Sequence, residues 1–415
     1  MDKKKKERIV NVGIIGLGGR SEAQIAGTVA AGNAKICTIC DVKQERIDWA
    51  LQYCREHKIR KPETTMDYQD ILNDPKIDAV LIPTMWNEHI PIAIDCLNAG
   101  KYVAFEVGGA CSLDQLWQLV HASEKNKIPC MMLENCCYDR HEMMALNMAR
   151  LGLFGEIIHC ECGYEHNLSS MACSVEKGRQ RIMHNICRNG DLYPTHGIGP
   201  IAKILNVNRG NRFVSLTSTA SKARGFAAFA ESKDWQGAGG FRNFNEGDVV
   251  TTVIKCANGE TVTVQHCVSL PRPYSRDCKV QGTKGLWSEA HNSIFLEGWK
   301  EGEVWSPVPE FYEKYDHPLW KMYQGDSSIG HGNMDVMILQ AFFDAVRNHG
   351  ETPIDVYDCA VWMAVTCLSE DSIATGSSPV AFPDFTNGKW INRSPERESM
   401  FMLSRIPAEK TQKKI

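Results

Sequence analysis

The order of residues at the N-terminus limits this chain more than any other feature. "IVNVGIIGLGGR" is an apolar run ending in a glycine turn, "SEAQIAGTVAAG" follows as a short helix closing at Gly32, and "AKICTICD" is a second apolar run ending on Asp41. Strand, glycine turn, helix, strand and acid, in that order, predict a βαβ unit of the dinucleotide-binding type. Gly16 and Gly18 let the backbone turn tightly and approach a pyrophosphate, which the positive end of the helix attracts. Asp41 is spaced to accept hydrogen bonds from both ribose hydroxyls and to repel a 2′-phosphate, so NAD is expected rather than NADP. The third glycine of the fingerprint is replaced by Ser21 in "GLGGRS". A glycine turn in an ordinary parallel sheet is the competing reading.

The alternation continues to about residue 140. "KQERIDWALQYCREH" places Ile47, Ala50, Leu51 and Cys54 at helical spacing, and "DAVLIPT", "YVAFEV" and "IPCMMLEN" read as strands separated by the helices "HIPIAIDCLNAG" and "SLDQLWQLVHASEKN". Strands alternating with helices predict a mostly parallel sheet of the α/β class. Ligands bind outside the carboxyl ends of such strands. That rule selects Thr84, Trp86, His89, Glu106 and Asn135.

Beyond residue 140 the period changes. "GEIIHCECGYEH", "FVSLTSTASKA", "VVTTVIKC", "TVTVQHCVSL", "DCKVQGTKG" and "NSIFLEG" are strand-like, and "ANGE" is an Asn-Gly hairpin turn. A second, α+β domain with a large open, mostly antiparallel sheet is expected, so the 415 residues divide into 1–140 and 141–415. The helix "MDVMILQAFFDAVRNHG" follows, and "DVYDCAVWMAVTCLSEDSIATG" reads as a last amphipathic helix packing back on one domain. No linker separates the two domains, which predicts a rigid junction.

A net charge of −4 marks no nucleic-acid surface. The Lys3 to Lys6 run reads as a solvated tail. Followed by "IVNVGIIGLGG" it imitates a secretory leader, but three glycines and Arg20 interrupt the apolar part, and the βαβ reading takes precedence. No apolar run is long enough to span a membrane. Seventeen cysteines, an odd number, suit a reducing compartment, so the cytoplasm is expected, with export as the alternative if a leader has been lost. The Cys37 and Cys40 pair lies in a strand-like run and reads as structural.

In "NGDLYPTHGIGP" Tyr193 and His196 stand three residues apart among Gly and Pro, which resist a long helix. An imidazole exchanges protons near neutrality unaided, whereas a phenol needs a cationic neighbour. Tyr193 and His196 are therefore candidate proton-transfer groups; a turn-capping Tyr and a structural His are the alternative. A zinc site from His184, Cys187 and His196 matches no common ligand spacing, and no metal is expected.

The two-part layout resembles the Gfo/Idh/MocA oxidoreductase superfamily. Dehydrogenases of that superfamily usually carry Glu-Lys-Pro where this chain reads "FEVGG", with Val107 in the lysine position, and Asp where it has Leu192. "NCCYDRHEM", "GLFGEIIHCECGYEHNL", "DLYPTHGIGPIAKIL", "PRPYSR" and "GHGNMD" together resemble glycoside hydrolase family 109, an α-N-acetylgalactosaminidase family that retains NAD. The resemblance implies that Gly19, Arg20, Asp41, Trp86, Asn87, Glu88, His89, Glu106, Val107 and Asn135 contact NAD. It implies that Tyr164, Arg181, Tyr193, Pro194, Thr195, His196 and Tyr274 contact the sugar, with His196, Tyr193 and Tyr164 catalytic. "WNEH" replaces the family's usual Trp-Glu-Trp-His. The implied reaction is oxidation at C3, elimination at C1, addition of water and reduction; an ordinary NAD-dependent sugar dehydrogenase and a non-catalytic NAD sensor are the alternatives. A small carbohydrate partner and a homo-oligomer are implied as well.

Overall fold

The computed structural model describes residues 8–108, 110–172, 179–233, 243–323, 331–393, 399 and 401–403; the Lys3 to Lys6 run lies outside them. The first sheet contains β1 (Val10–Ile15), β2 (Ala34–Cys40), β3 (Glu63–Thr65), β4 (Ala79–Ile82), β5 (Tyr102–Phe105) and β6 (Cys130–Met132) in the order β3-β2-β1-β4-β5-β6, every pair parallel. This is the doubly wound order, whose switch point lies between β1 and β4. Helices α1 (Ser21–Ala31), α2 (Gln44–Glu56), α3 (Gln69–Asn73), α4 (Trp86–Asn98) and α5 (Leu113–Asn126) connect the strands. β1 and β4 are almost wholly buried, as strands covered on both faces must be. The Cys40 thiol is pushed up to about 12 by burial and by neighbouring Asp41, which fits the structural reading of that pair.

After α6 (Arg140–Arg150), strand β7 (Ile157–Glu165) enters the second sheet. It is followed by α7 (Ser169–Ala172), α8 (Arg179–Cys187), α9 (Thr195–Ile204), β8 (Phe213–Ala220), β9 (Val250–Cys256), β10 (Thr261–Cys267), β11 (Lys279–Gly282), β12 (Gly285–Ser288), β13 (Ser293–Leu296), β14 (Ser306–Pro307) and β15 (Val380–Ala381). Nine strands pair in the order β14-β13-β12-β11-β7-β10-β9-β8-β15, and only β7 and β10 run parallel. The "ANGE" turn joins β9 to β10 as a hairpin. Alternation is clearest in β9: Val250, Thr252, Ile254 and Cys256 are buried while Thr251, Val253 and Lys255 face out.

Two helices near the C-terminus join the sheets. Met334–Asn348 packs on α1, where Gly27 makes room: a Cβ there would stand 2.7 Å from Leu339. Val356–Ala374 touches β8 of the second sheet and α5 and β6 of the first. It is buried nearly all round rather than amphipathic, because it is sandwiched between the two domains and has little solvent face. Asp355 and Asp358 form its capping box. Among the described residues no helix is long and apolar enough to cross a membrane.

Candidate active site

The turn between β1 and α1 requires glycine at one point and leaves space at two others. Gly16 has φ +94°, and a Cβ there would lie 2.6 Å from the Thr84 side chain and 3.0 Å from its backbone. A Cβ on Gly18 would come no nearer than 3.6 Å to the Pro83 carbonyl, and one on Gly19 would meet nothing within 4 Å. Open space therefore lies over the N-terminus of α1, where backbone amides attract a pyrophosphate. Ser21, in the third-glycine position, is buried and donates its hydroxyl to the Gly18 carbonyl at 2.6 Å, closing the turn. Asp41 accepts from the Leu17 and Lys43 amides at 2.7 and 2.9 Å. Each carboxylate oxygen keeps a second lone pair for a ribose hydroxyl. These residues fit NAD.

Arg20 joins the loop to both domains. Its Nε donates to Glu106 at 3.0 Å and its guanidinium to Asp335 at 3.1 Å, while Asn135 donates to the same Asp335 at 2.8 Å and His331 contacts it at 2.9 Å. Burial alone would lower the Arg20 pKa, but Glu106 and Asp335 outweigh it and raise it. Gln24 also donates to Glu106, and the Val107 amide does so at 3.3 Å. Asp335 belongs to "GHGNMD", so that motif serves the glycine loop through space.

Trp86, Asn87, Glu88 and His89 form the first turn of α4, which starts three residues earlier than the sequence suggests. The Trp86 indole lies against Gly108, where a Cβ would come within 2.3 Å of the ring; this explains a glycine after Val107 in "FEVGG". Asn87 is exposed and donates to Glu88 at 3.0 Å. His89 turns the other way. It is 2% exposed, its Nε2 donates to the Thr84 carbonyl at 3.1 Å, and burial lowers its pKa to about 4. His89 thus braces the Thr84 loop, which borders the glycine turn.

Tyr164 at the end of β7, Arg181 on α8, Tyr193 and His196 converge beside Trp86. The Tyr164 and Tyr193 rings are 4.4 Å apart, His196 lies 5.5 Å from Tyr164 and 4.9 Å from Tyr193, and Arg181 sits 5.0 Å over Tyr193 and 5.1 Å over Trp86. Tyr274, 45% exposed, rims the cluster 6.2 Å from Tyr164, its hydroxyl 3.3 Å from Arg276. Burial pushes both the Tyr164 and Tyr193 phenols up, with Arg181 opposing, so both are protonated at rest. Tyr164 donates to His166 Nδ1 at 3.3 Å, and His166 is kept neutral by burial and by Arg181 and His196.

His196 occupies the second position of α9, a helix that forms despite Gly197, Gly199 and Pro200 because tertiary contacts need those residues. A Cβ on Gly197 would lie 2.7 Å from the Gly163 amide, and one on Gly199 would lie 2.9 Å from Glu134 and 3.1 Å from Cys137. The glycines therefore let α9 lie directly on β7 and on Glu134. His196 Nδ1 is 2.6 Å from Glu134 Oε1, and that carboxylate is fully buried. Burial would raise its pKa, but His196, Thr195 and the Cys136 amide lower it. Pro194 and Thr195 are buried and set the helix start between Tyr193 and His196. Glu134 and His166 were missed in the sequence, although Glu134 immediately precedes Asn135 at the carboxyl end of β6, where the strand-end rule applies. His184 lies 5.2 Å from the Trp86 ring, tilted to it, and Cys187 is exposed, so the three residues of the zinc reading do not converge. His196 instead groups with Glu134 and Cys136 within 4.8 Å, and Arg276 faces the Cys136 sulfur at 3.4 Å, a cation that opposes a metal there.

Comparison with known proteins agrees with this architecture. Residues 138–392 match the family described as "Glycosyl hydrolase 109, C-terminal domain", and residues 10–133 match "Oxidoreductase family, NAD-binding Rossmann fold". An α-N-acetylgalactosaminidase of Tannerella forsythia is 39% identical, over 94% of this chain and 89% of that protein. One of Shewanella oneidensis is 38% identical, over 94% and 88%. Among solved structures, a levoglucosan dehydrogenase in complex with NADH and L-sorbose superposes with a TM-score of 0.70 at 20% identity, covering 91% of this chain and all of that one. An NAD-binding oxidoreductase of Klebsiella pneumoniae gives 0.72 at 16%, over 91% and 100%. At such identity these structures share the fold.

Proposed function

Since the chain belongs to glycosyl hydrolase family 109 and carries an NAD-binding Rossmann domain, we propose that it hydrolyses α-N-acetylgalactosaminides through a redox-neutral cycle. The observation that carries this reading is the buried Glu134–His196 pair at 2.6 Å, set against the Tyr164, Tyr193 and Arg181 cluster. NAD would supply the hydride acceptor and donor for C3 of the sugar, so none would be consumed. Gly18, Gly19, Arg20, Asp41, Trp86, Val107 and Asn135 would hold it.

The remaining chemistry is proton transfer by this chain's own residues. His196 donates through Nδ1 to Glu134, which leaves Nε2 to accept the C3 hydroxyl proton, and the carboxylate stabilises the imidazolium that forms. The resulting ketone acidifies the C2 proton. Tyr164 passes its phenolic proton to His166, with Arg181 stabilising the phenolate, and removes that C2 proton. Tyr193 supplies a proton to the departing oxygen at C1. Water adds at C1, and the transfers then run in reverse. Arg181 and Tyr274 orient the sugar.

We also take residues 1–140 as the cofactor domain and 141–415 as the substrate domain, supported by which strands join which sheet. A homo-oligomer formed through the outer face of the nine-stranded sheet, where β9 exposes Thr251, Val253 and Lys255 and β7 and β10 leave side chains partly exposed, is checked by light scattering. The cytoplasmic reading rests on the free thiols, with export after loss of a leader as the alternative. The deciding assay follows nitrophenol release from nitrophenyl α-N-acetylgalactosaminide and NADH absorbance together. Many turnovers without net NADH support the glycosidase. NADH growth with free sugar and no nitrophenol would make the chain a dehydrogenase, and no spectral response of the nicotinamide to sugar would favour a sensor.

A further inference from the structure

Beneath the aromatic cluster lies a charged group that the reaction above does not use. His266 on β10 is 2% exposed; its Nε2 stands 2.9 Å from Glu246 Oε1 and its Nδ1 3.4 Å from Asp191 Oδ1. Both carboxylates are as deeply buried as the imidazole. A neutral imidazole has one N–H and one lone pair, so between two carboxylates it would turn the lone pair on an anion. Neither ring nitrogen makes a well-directed hydrogen bond, so the two short contacts are those of an ion pair, which a ring protonated on both nitrogens forms with both carboxylates. Burial opposes the cation and Arg181 does too, but Glu246 and Asp191 outweigh them and raise the His266 pKa. The Asp191 carboxyl is pushed up to about 6 by burial and by Glu246, with His266 and the Tyr193 amide opposing. Tyr164 and Cys162, both neutral, face the group from β7.

The group reaches the reacting residues along two separate backbones. Asp191 Oδ1 accepts the Tyr193 amide at 3.2 Å. Glu246 accepts from Asn185, one helical turn along α8 from Arg181. The His266 ring also stacks beneath Tyr164, centroids 6.3 Å apart and planes inclined by 24°. We propose that His266, held as an imidazolium between Asp191 and Glu246, is a positioning residue that fixes the Tyr193 turn and the Arg181 helix around the sugar. The kinetic readout rests on the glycosidase reading; the state of the imidazole does not.

His266→Gln offers one donor and one acceptor, so its amide oxygen faces a carboxylate. Protonation of that carboxylate removes the conflict, and the double variant Asp191→Asn/His266→Gln removes it at every pH, since the new carboxamide at 191 can serve the Tyr193 amide and the amide oxygen at 266 together. With NAD-loaded protein and the aryl glycoside, His266→Gln should lose about ten- to hundredfold in kcat at pH 8, the range for a buried polar group left unsatisfied. It should recover toward wild type near pH 5.5, while the double variant regains most of the loss at pH 8 with a flatter profile. A loss independent of pH, no loss, or no rescue would each overturn the proposal. Nitrogen-15 spectra of histidine-labelled protein test it separately. One wild-type imidazole protonated on both nitrogens at pH 8, absent from His266→Gln, supports the clamp; a neutral His266 at pH 7 overturns it, even if the wild type hydrolyses no galactosaminide.

Discussion

Replacing Glu134 separates the charge of the buried carboxylate from its mere presence. The side chain is fully buried and accepts from both His196 Nδ1 at 2.6 Å and the Cys136 amide at 3.2 Å through the same oxygen, Oε1. Glu134→Gln can keep both hydrogen bonds with a neutral acceptor of nearly equal volume. A hydrogen bond to a charged group contributes about 1.5–3 kcal/mol and a neutral one about 0.5–1.5. The difference, about 1–1.5 kcal/mol, corresponds to roughly five- to tenfold in a rate limited by proton transfer to His196. Glu134→Ala removes the acceptor, so the imidazolium forms unpaired in a buried site. Breaking such a pair costs about 3–5 kcal/mol, on the order of a hundred- to several-thousandfold in rate. The assay is kcat for aryl galactosaminide release by NAD-loaded protein, with thermal melting alongside to separate catalysis from unfolding. Equal losses in the two variants, or a Glu134→Gln enzyme indistinguishable from wild type, would refute the coupling between this carboxylate and the proton on His196.

Three other outcomes are expected. Gly199→Ala forces α9 off Glu134 and Cys137, costing about 1–3 kcal/mol of stability by overpacking; calorimetry should show a lower Tm together with a fall in kcat larger than the melting shift explains. Asp41→Ala should weaken NAD binding about tenfold, read by fluorescence titration, and narrow its advantage over NADP, because the 2′-phosphate is no longer repelled. Asp358 has its pKa held well below the usual carboxylate range: burial opposes this, but Arg209 and Lys203 outweigh it. A depressed folded pKa gives stability that is present above the unfolded value of about 3.9 and is lost as pH falls. Asp358→Asn should therefore destabilise at pH 7 by about 3–5 kcal/mol, the cost of breaking a buried ion pair, and flatten the acid limb of stability followed by circular dichroism; an unchanged acid limb would show that this network does not couple to folding.

Local patterns in the sequence carried the architecture. A strand, a glycine that must hold φ +94° against Thr84, a helix and a second strand ending in Asp41 are a local signal, because each depends on neighbours in the chain. The period-two runs and the Asn-Gly turn made the antiparallel sheet legible for the same reason, and Tyr193 and His196 stood out through their spacing alone. Elements whose form depends on packing were read less well. α9 is helical because burial against β7 outweighs the low propensity of its Gly and Pro residues, and Val356–Ala374 loses its solvent face between two domains. The pairings that give the candidate site its chemistry were not legible, although Glu134 stands next to a strand-end residue and Asp335 lies in a motif. Glu134 meets His196 across 62 residues of chain and Asp335 meets Arg20 across 315, while Asp191, Glu246 and His266 lie on three separate segments. A carboxylate in isolation looks the same in a sequence whether it ends up in water or beside an imidazole. Only the tertiary fold removes the water and brings the charges together, and that is what decides which of the acidic residues act on a proton.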